Sequence, residues 1–107
     1  MASKKTTKKT TEPYVILRGY RSGCHAGYLV ARNENGCYVL RDARRLWYWS
    51  GAASLSEVAV YGAKNAAQCK FGARVERQEI SRDDVSEVIH CQPEGQCMIE
   101  NTPEWRA

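Results

Sequence analysis

No stretch of this chain approaches the roughly 18 consecutive apolar residues of a membrane span, so no membrane-crossing helix is expected. The opening residues, MASKKTTKKTTE, lack the apolar centre of a signal peptide, which points to a cytosolic protein. Five cysteines (Cys24, Cys37, Cys69, Cys91, Cys97) form no CxxC and are odd in number, so reduced, buried thiols are expected in place of a disulfide framework. No P-loop, GxGxxG, GxSxG or HExxH occurs, and without such a constellation neither an enzyme nor a cofactor is expected.

What remains suits one small domain. A chain of 107 residues buries roughly 60% of the surface its unfolded form exposes, enough for one modest core. Residues 1–12 are a Lys/Thr segment with no large apolar side chain to offset the entropy of ordering it, and read as a flexible tail. Lys4, Lys5, Lys8 and Lys9 there can hold nucleic acid in a salt-sensitive way or simply aid solubility. The rest, residues 13–107, reads as a single α+β domain. Its charge is polarised: residues 13–50 hold six arginines against Glu34 and Asp42, whereas residues 51–107 hold six basic and nine acidic groups.

PYVILRGY reads as a first strand closed by Gly19. Asn35-Gly36 is the dipeptide a type I′ hairpin turn demands, and a two-residue turn pairs Arg32 with Val39, Ala31 with Leu40 and Leu29 with Asp42. Leu29, Ala31, Tyr38 and Leu40 then share one face, and Tyr28, Val30, Arg32, Val39 and Arg41 the other. A sheet apolar on both faces suits a small twisted antiparallel sheet or a partly open β-barrel, with one or two short helices packed on it. Ser54-Leu55-Ser56-Glu57 has the capping-box form, and predicts about two helical turns over residues 55–61, ended by Gly62. GARVERQEI alternates weakly, VSEVIHC fits a strand or a helix, and Pro93 can open a short helix carrying Cys97, Met98 and Ile99. Trp105 is expected to pack back on the body.

The densest chemical signal is RDARRLWYWSG. If this stretch continues the hairpin strand, alternation sets Arg41, Ala43, Arg45, Trp47 and Trp49 on one face, and Leu40, Asp42, Arg44, Leu46 and Tyr48 on the other. Tryptophans beside an arginine can stack on a base and pair with phosphate, although three neighbouring aromatics in so small a chain would equally supply its core. GYRSGCHAG adds Arg21, Gly23 and His25, and a glycine-rich turn can offer backbone N–H groups to a phosphate or serve as a plain connection. Cys24-His25 and His90-Cys91 invite a zinc reading, but neighbours in a strand point to opposite faces, so no metal site is expected and only a Cys–His dyad assembled across the fold stays open. Asp83-Asp84 with Glu87 reads as a solvated turn that helps cap the next element.

PYVILRGYRSGCHAGYLVAR, LRDARRLWYWSGAASLSEVAVYG and CKF resemble a family of small tailed-bacteriophage proteins of unassigned function, most strongly in LRDAR, the aromatic run and SGAxSLSE. The resemblance covers residues 13–93 and implies a phage gene product acting in the bacterial host cytoplasm, with no catalytic residues to carry over. The expected role is a non-enzymatic accessory protein that binds a phosphorylated nucleotide-type molecule, sequestering a host defence signal. Arg41, Arg44 and Arg45 would neutralise phosphate, Trp47 or Trp49 would stack, and Arg21, Gly23 and His25 would complete the site, which a homo-oligomer could enclose between subunits. DNA or RNA binding through the Lys tail, and inhibition of a host protein through the aromatic cluster as an interface hot spot, are the alternatives.

Overall fold

The computed structural model describes residues 12–32 and 36–106. The lysine tail and Asn35 of the expected turn lie outside these residues. Strands β1 (Tyr14–Gly19), β2 (Gly23–Arg32) and β3 (Tyr38–Tyr48) precede helix α1 (Leu55–Val60). Strands β4 (Lys70–Phe71), β5 (Val75–Ile80) and β6 (Val85–His90) precede helix α2 (Pro93–Asn101). All strand pairings are antiparallel, in the order β4-β3-β2-β1-β6, with β5 sharing the outer edge of β3 with β4. The result is an open α+β sheet with two short helices. No helix among the described residues is long and apolar enough to cross a membrane.

The apolar run of β1 explains how the layers form. Tyr14 and Ile16 face the helices and join Ala26, Leu46, Val58, Phe71 and Ile99, whereas Val15 and Leu17 face the other way and join Leu40, Ala43 and Ile80. Both faces of β1 are therefore buried, as a continuous hydrophobic strand requires. Among the described residues, no helix covers the second face. It is closed by curvature, because β5 and β6 sit on opposite sides of β3-β2-β1 and would lie about 19 Å apart in a flat sheet. The link between them is only residues 81–84, largely one 3-10 turn (Arg82–Asp84), and so falls short of the roughly 17 Å that its five Cα steps would reach fully extended. The sheet curls into a trough whose two edges are drawn together at this link.

The cap of α1 keeps close to the motif: the Glu57 N–H donates to Ser54 Oγ at 3.2 Å, while the Glu57 carboxylate accepts from Ala53 N–H, one residue before the expected partner. Gly62, at φ +85°, ends the helix by donating to the Val58 carbonyl. Pro93 opens α2 as expected, and VSEVIHC is a strand.

The hairpin register departs from expectation. Arg32 stands opposite Tyr38, one residue from the pairing that a two-residue turn sets, and Leu29 opposite Leu40 and Tyr28 opposite Arg41, two residues from it. Two irregularities then change the faces. β2 carries an extra residue at Val30, and β3 carries one at Asp42, whose φ of +53° is left-handed. Gly27 accommodates the second, since a Cβ there would meet the Arg41 carbonyl at 3.0 Å and the Ala43 Cα at 3.1 Å. Leu40 consequently shares a face with Ala43, not with Arg44, and Arg44 points under the helices.

Candidate functional site

A cavity of about 660 Å³ opens in the trough where the 19–23 turn meets the β5–β6 link. Arg21, Ser22, Arg45, Gln78, Asp83 and Asp84 line it, with Tyr20 at its rim. Asp84 organises this corner. Its carboxylate accepts from Arg21 N–H at 2.7 Å, Ser22 N–H at 3.0 Å and Ser22 Oγ at 2.7 Å, and its own carbonyl accepts from Tyr20 N–H. The Ser22 hydroxyl, then the two backbone donors, hold the Asp84 pKa below its ordinary value. The glycine turn thus does cradle an anion, but the anion is the protein's own carboxylate. Gly23, at φ +89°, shapes this turn, and the Arg21 and Ser22 N–H groups expected for a ligand phosphate are already engaged.

Arg21 and Arg45 remain available. Their guanidinium groups make no hydrogen bond or ion pair among the described residues, and both line the cavity. His25, opposite Arg45 in the β2–β3 register, is fully buried, and its two ring nitrogens complete no hydrogen bond among the described residues. The groups acting on it are Arg45, Ser22, Asp84 and Gln78, all of which line the cavity, while the imidazole itself is not part of the cavity wall. Burial first and the Arg45 charge second hold the His25 pKa below its usual 6.5, while the Ser22 backbone, Asp84 and Gln78 pull the other way.

This arrangement has a pH signature. The unfolded chain takes up a proton on His25 near pH 6.5 and the folded chain resists it, so its stabilising contribution is complete above that pH. The contribution is lost as pH falls through the lowered folded value. Asp84 acts in a separate window, below its usual 3.8. Thermal midpoints recorded from pH 7.5 to 5 are expected to fall in the wild type and to lose most of that slope in His25→Gln. An identical slope in the variant would place the titrating group elsewhere.

The other expected ligand residues are dispersed. Arg41 lies on the helix-side face, paired with Glu12 at 2.9 Å and Asp42 at 3.2 Å and stacked 4.4 Å over the Tyr28 ring. Arg44 corrects the expected arginine surface: it is 1% exposed and donates to the carbonyls of Gly72, Ile99, Thr102 and Phe71. Trp49, past the end of β3, packs against the helix-side core, whereas Trp47 is exposed and sits edge-to-face with Trp105 at 5.2 Å. Of the eight expected residues, Arg21 and Arg45 line the cavity, while Gly23 and His25 lie in β2 just after the turn that carries Arg21. Tyr20, Gln78 and Asp84 were missed. Asp83-Asp84 between two strands was a visible signal, but nothing local tied it to a loop more than 60 positions earlier.

Among the described residues no disulfide joins the cysteines: Cys69 is buried, Cys24, Cys37 and Cys91 are half-buried and Cys97 is exposed, where buried thiols were expected. Burial pushes the Cys91 pKa up to about 12 and raises that of Cys24. Among the described residues, no group of three or more His, Cys, Asp or Glu side chains is placed to hold a metal.

A family model described as a domain of unknown function, DUF6948, matches residues 12–99. No curated protein and no solved structure matches the chain.

Proposed function

The chain belongs to the DUF6948 family, a domain of unknown function, and from that premise we propose that it is a non-enzymatic binding protein for a small phosphorylated ligand of nucleotide type. The observation that carries this reading is that Arg21 and Arg45 line one cavity, their guanidinium groups making no hydrogen bond or ion pair among the described residues. Two such groups suit phosphate, because each offers several donors in a fixed fork. Ser22, Gln78 and Asp83 add the mixed donors and acceptors that a base or ribose can use. Binding without catalysis is supported by the state of the ionisable groups: Asp84 accepts from three donors, His25 is fully buried, and the shifted thiols are protonated. The biological setting rests on the motif resemblance to tailed-phage proteins: a phage accessory protein in a bacterial cytoplasm, holding a host defence signal out of circulation.

The test is to purify the protein from bacterial lysate, denature it, and identify released small molecules by mass spectrometry. Wild type is expected to release a nucleotide-type molecule, and a folded Arg21→Ala/Arg45→Ala variant to release none. Losing two charge-assisted contacts at roughly 1.5–3 kcal/mol each weakens binding by about 100-fold or more. An empty wild type that also acquires nothing from a nucleotide mixture would sink the proposal. If a polynucleotide instead binds and is released by moderate salt, the anion site belongs to the Lys4, Lys5, Lys8 and Lys9 tail.

A further inference from the structure

Two exposed aromatic side chains stand next to the two cavity arginines in sequence. Tyr20 is 84% exposed and lines the cavity beside Arg21. Trp47 is outside the cavity wall, is 55% exposed and lies two residues beyond Arg45 along β3. Gly72 shows that these two share a face, since a Cβ there would lie 3.9 Å from both Arg45 Cβ and Trp47 Cζ3. The Trp47 ring is also held in place. Trp105 meets it edge-on at 84°, is anchored by its N–H to the Phe71 carbonyl at 2.9 Å, and has the Lys70 ammonium 5.1 Å from its ring centre. A ring that is already positioned yet open to solvent loses little freedom on stacking.

Resting on the reading of this cavity as a phosphate site, we propose that the ligand is of dinucleotide type: two bases linked through phosphate. Its phosphates lie between Arg21 and Arg45, and one base stacks on Tyr20 and the other on Trp47. A mononucleotide would leave one of the two rings unused. A long single strand is disfavoured by charge, because Asp83 and Asp84 line the same cavity and would meet a polyanion running through it. A ligand with one or two phosphates can keep them on the arginine side.

The test is equilibrium dialysis of the full chain against base-randomised pools: 5′-mononucleotides, linear and 3′,5′-cyclic dinucleotides, and ten-nucleotide single strands. Dinucleotides are expected to bind about tenfold more tightly than mononucleotides, consistent with one added stacking contact. Tyr20→Ala and Trp47→Leu should each bring them down to the mononucleotide level. Tyr20 is so exposed that its variant keeps the test valid even if Trp47→Leu folds poorly. Equal affinity for mono- and dinucleotides, or no effect of Tyr20→Ala, overturns the inference and leaves the phosphate site standing. Ten-nucleotide strands binding tenfold more tightly than dinucleotides overturn it in favour of single-stranded nucleic acid. Binding of none of the pools removes the phosphate reading as well.

Discussion

Arg44→Ala is expected to cost about 3–5 kcal/mol of stability, lowering the thermal midpoint of this 107-residue chain by roughly 15–25 °C. The side chain is buried without a carboxylate partner and spends its donors on four backbone carbonyls. Nε donates to Gly72 at 2.9 Å, Nη1 to Ile99 at 2.6 Å and Thr102 at 2.8 Å, and Nη2 to Phe71 at 3.3 Å. Burial pulls its pKa down, with the Arg74 charge adding to the effect. The guanidinium is held because its acceptors include Ile99 and Thr102 at the end of α2, where the helix dipole is negative. Alanine leaves those carbonyls buried and unmatched around a void. Lysine, a point charge with a different donor geometry, should recover only part of the loss. Urea unfolding of the three proteins measures this, and a loss under about 1 kcal/mol for alanine would show that the network contributes little.

That result bears on function, because Arg44 and Arg45 are neighbours with opposite duties. A ligand-binding defect in Arg44→Ala would report a damaged fold, whereas the same defect in Arg45→Ala would report the cavity. From the sequence both are expected to be phosphate ligands, although strand alternation already sets them on opposite faces. The single extra residue at Asp42 decides which face each takes: a one-residue insertion exchanges the faces of everything beyond it, and RDARR contains no proline or glycine to announce it. Aspartate tolerates positive φ better than most residues, but that is a permission and not a signal.

Local features were legible for physical reasons that need no tertiary context. The Ser54 cap, the Gly62 stop, Pro93 at the start of α2 and the doubly buried YVIL run each arise from the backbone needs or apolar pattern of a few residues. The cavity was not legible as a place. It exists because a short link joins strands on opposite sides of the sheet and brings Asp84 against a turn that also carries Arg21 and Ser22. GYRSGCHAG and RDARR supply Arg21, Ser22 and Arg45 to the cavity's lining. Their assembly depended on curvature, which no window of sequence displays.

Gly95→Ala is the other substitution with a large expected effect, and its sign runs against helix propensity. Alanine in a helix is favoured over glycine by about 1 kcal/mol, yet this variant is expected to lose about 2 kcal/mol, or roughly 10 °C in thermal midpoint. Gly95 is buried in the first turns of α2, where the two helices nearly touch. A Cβ on it would fall inside contact distance of the Ala59 carbonyl oxygen and 2.6 Å from that of Val58. These are backbone atoms and cannot swing aside as a side chain would. The Ala59 carbonyl also accepts from Gln92 N–H at 3.0 Å, so separating the helices costs that bond too. A stabilised Gly95→Ala would show that the helices pack less closely than these distances require. Because this contact lies on the face opposite the cavity, ligand affinity in the folded fraction should be unchanged. Arg45→Ala predicts the reverse pattern, with stability near wild type and binding lost. Measuring both variants for both properties separates the layer that holds the sheet from the trough that receives the ligand.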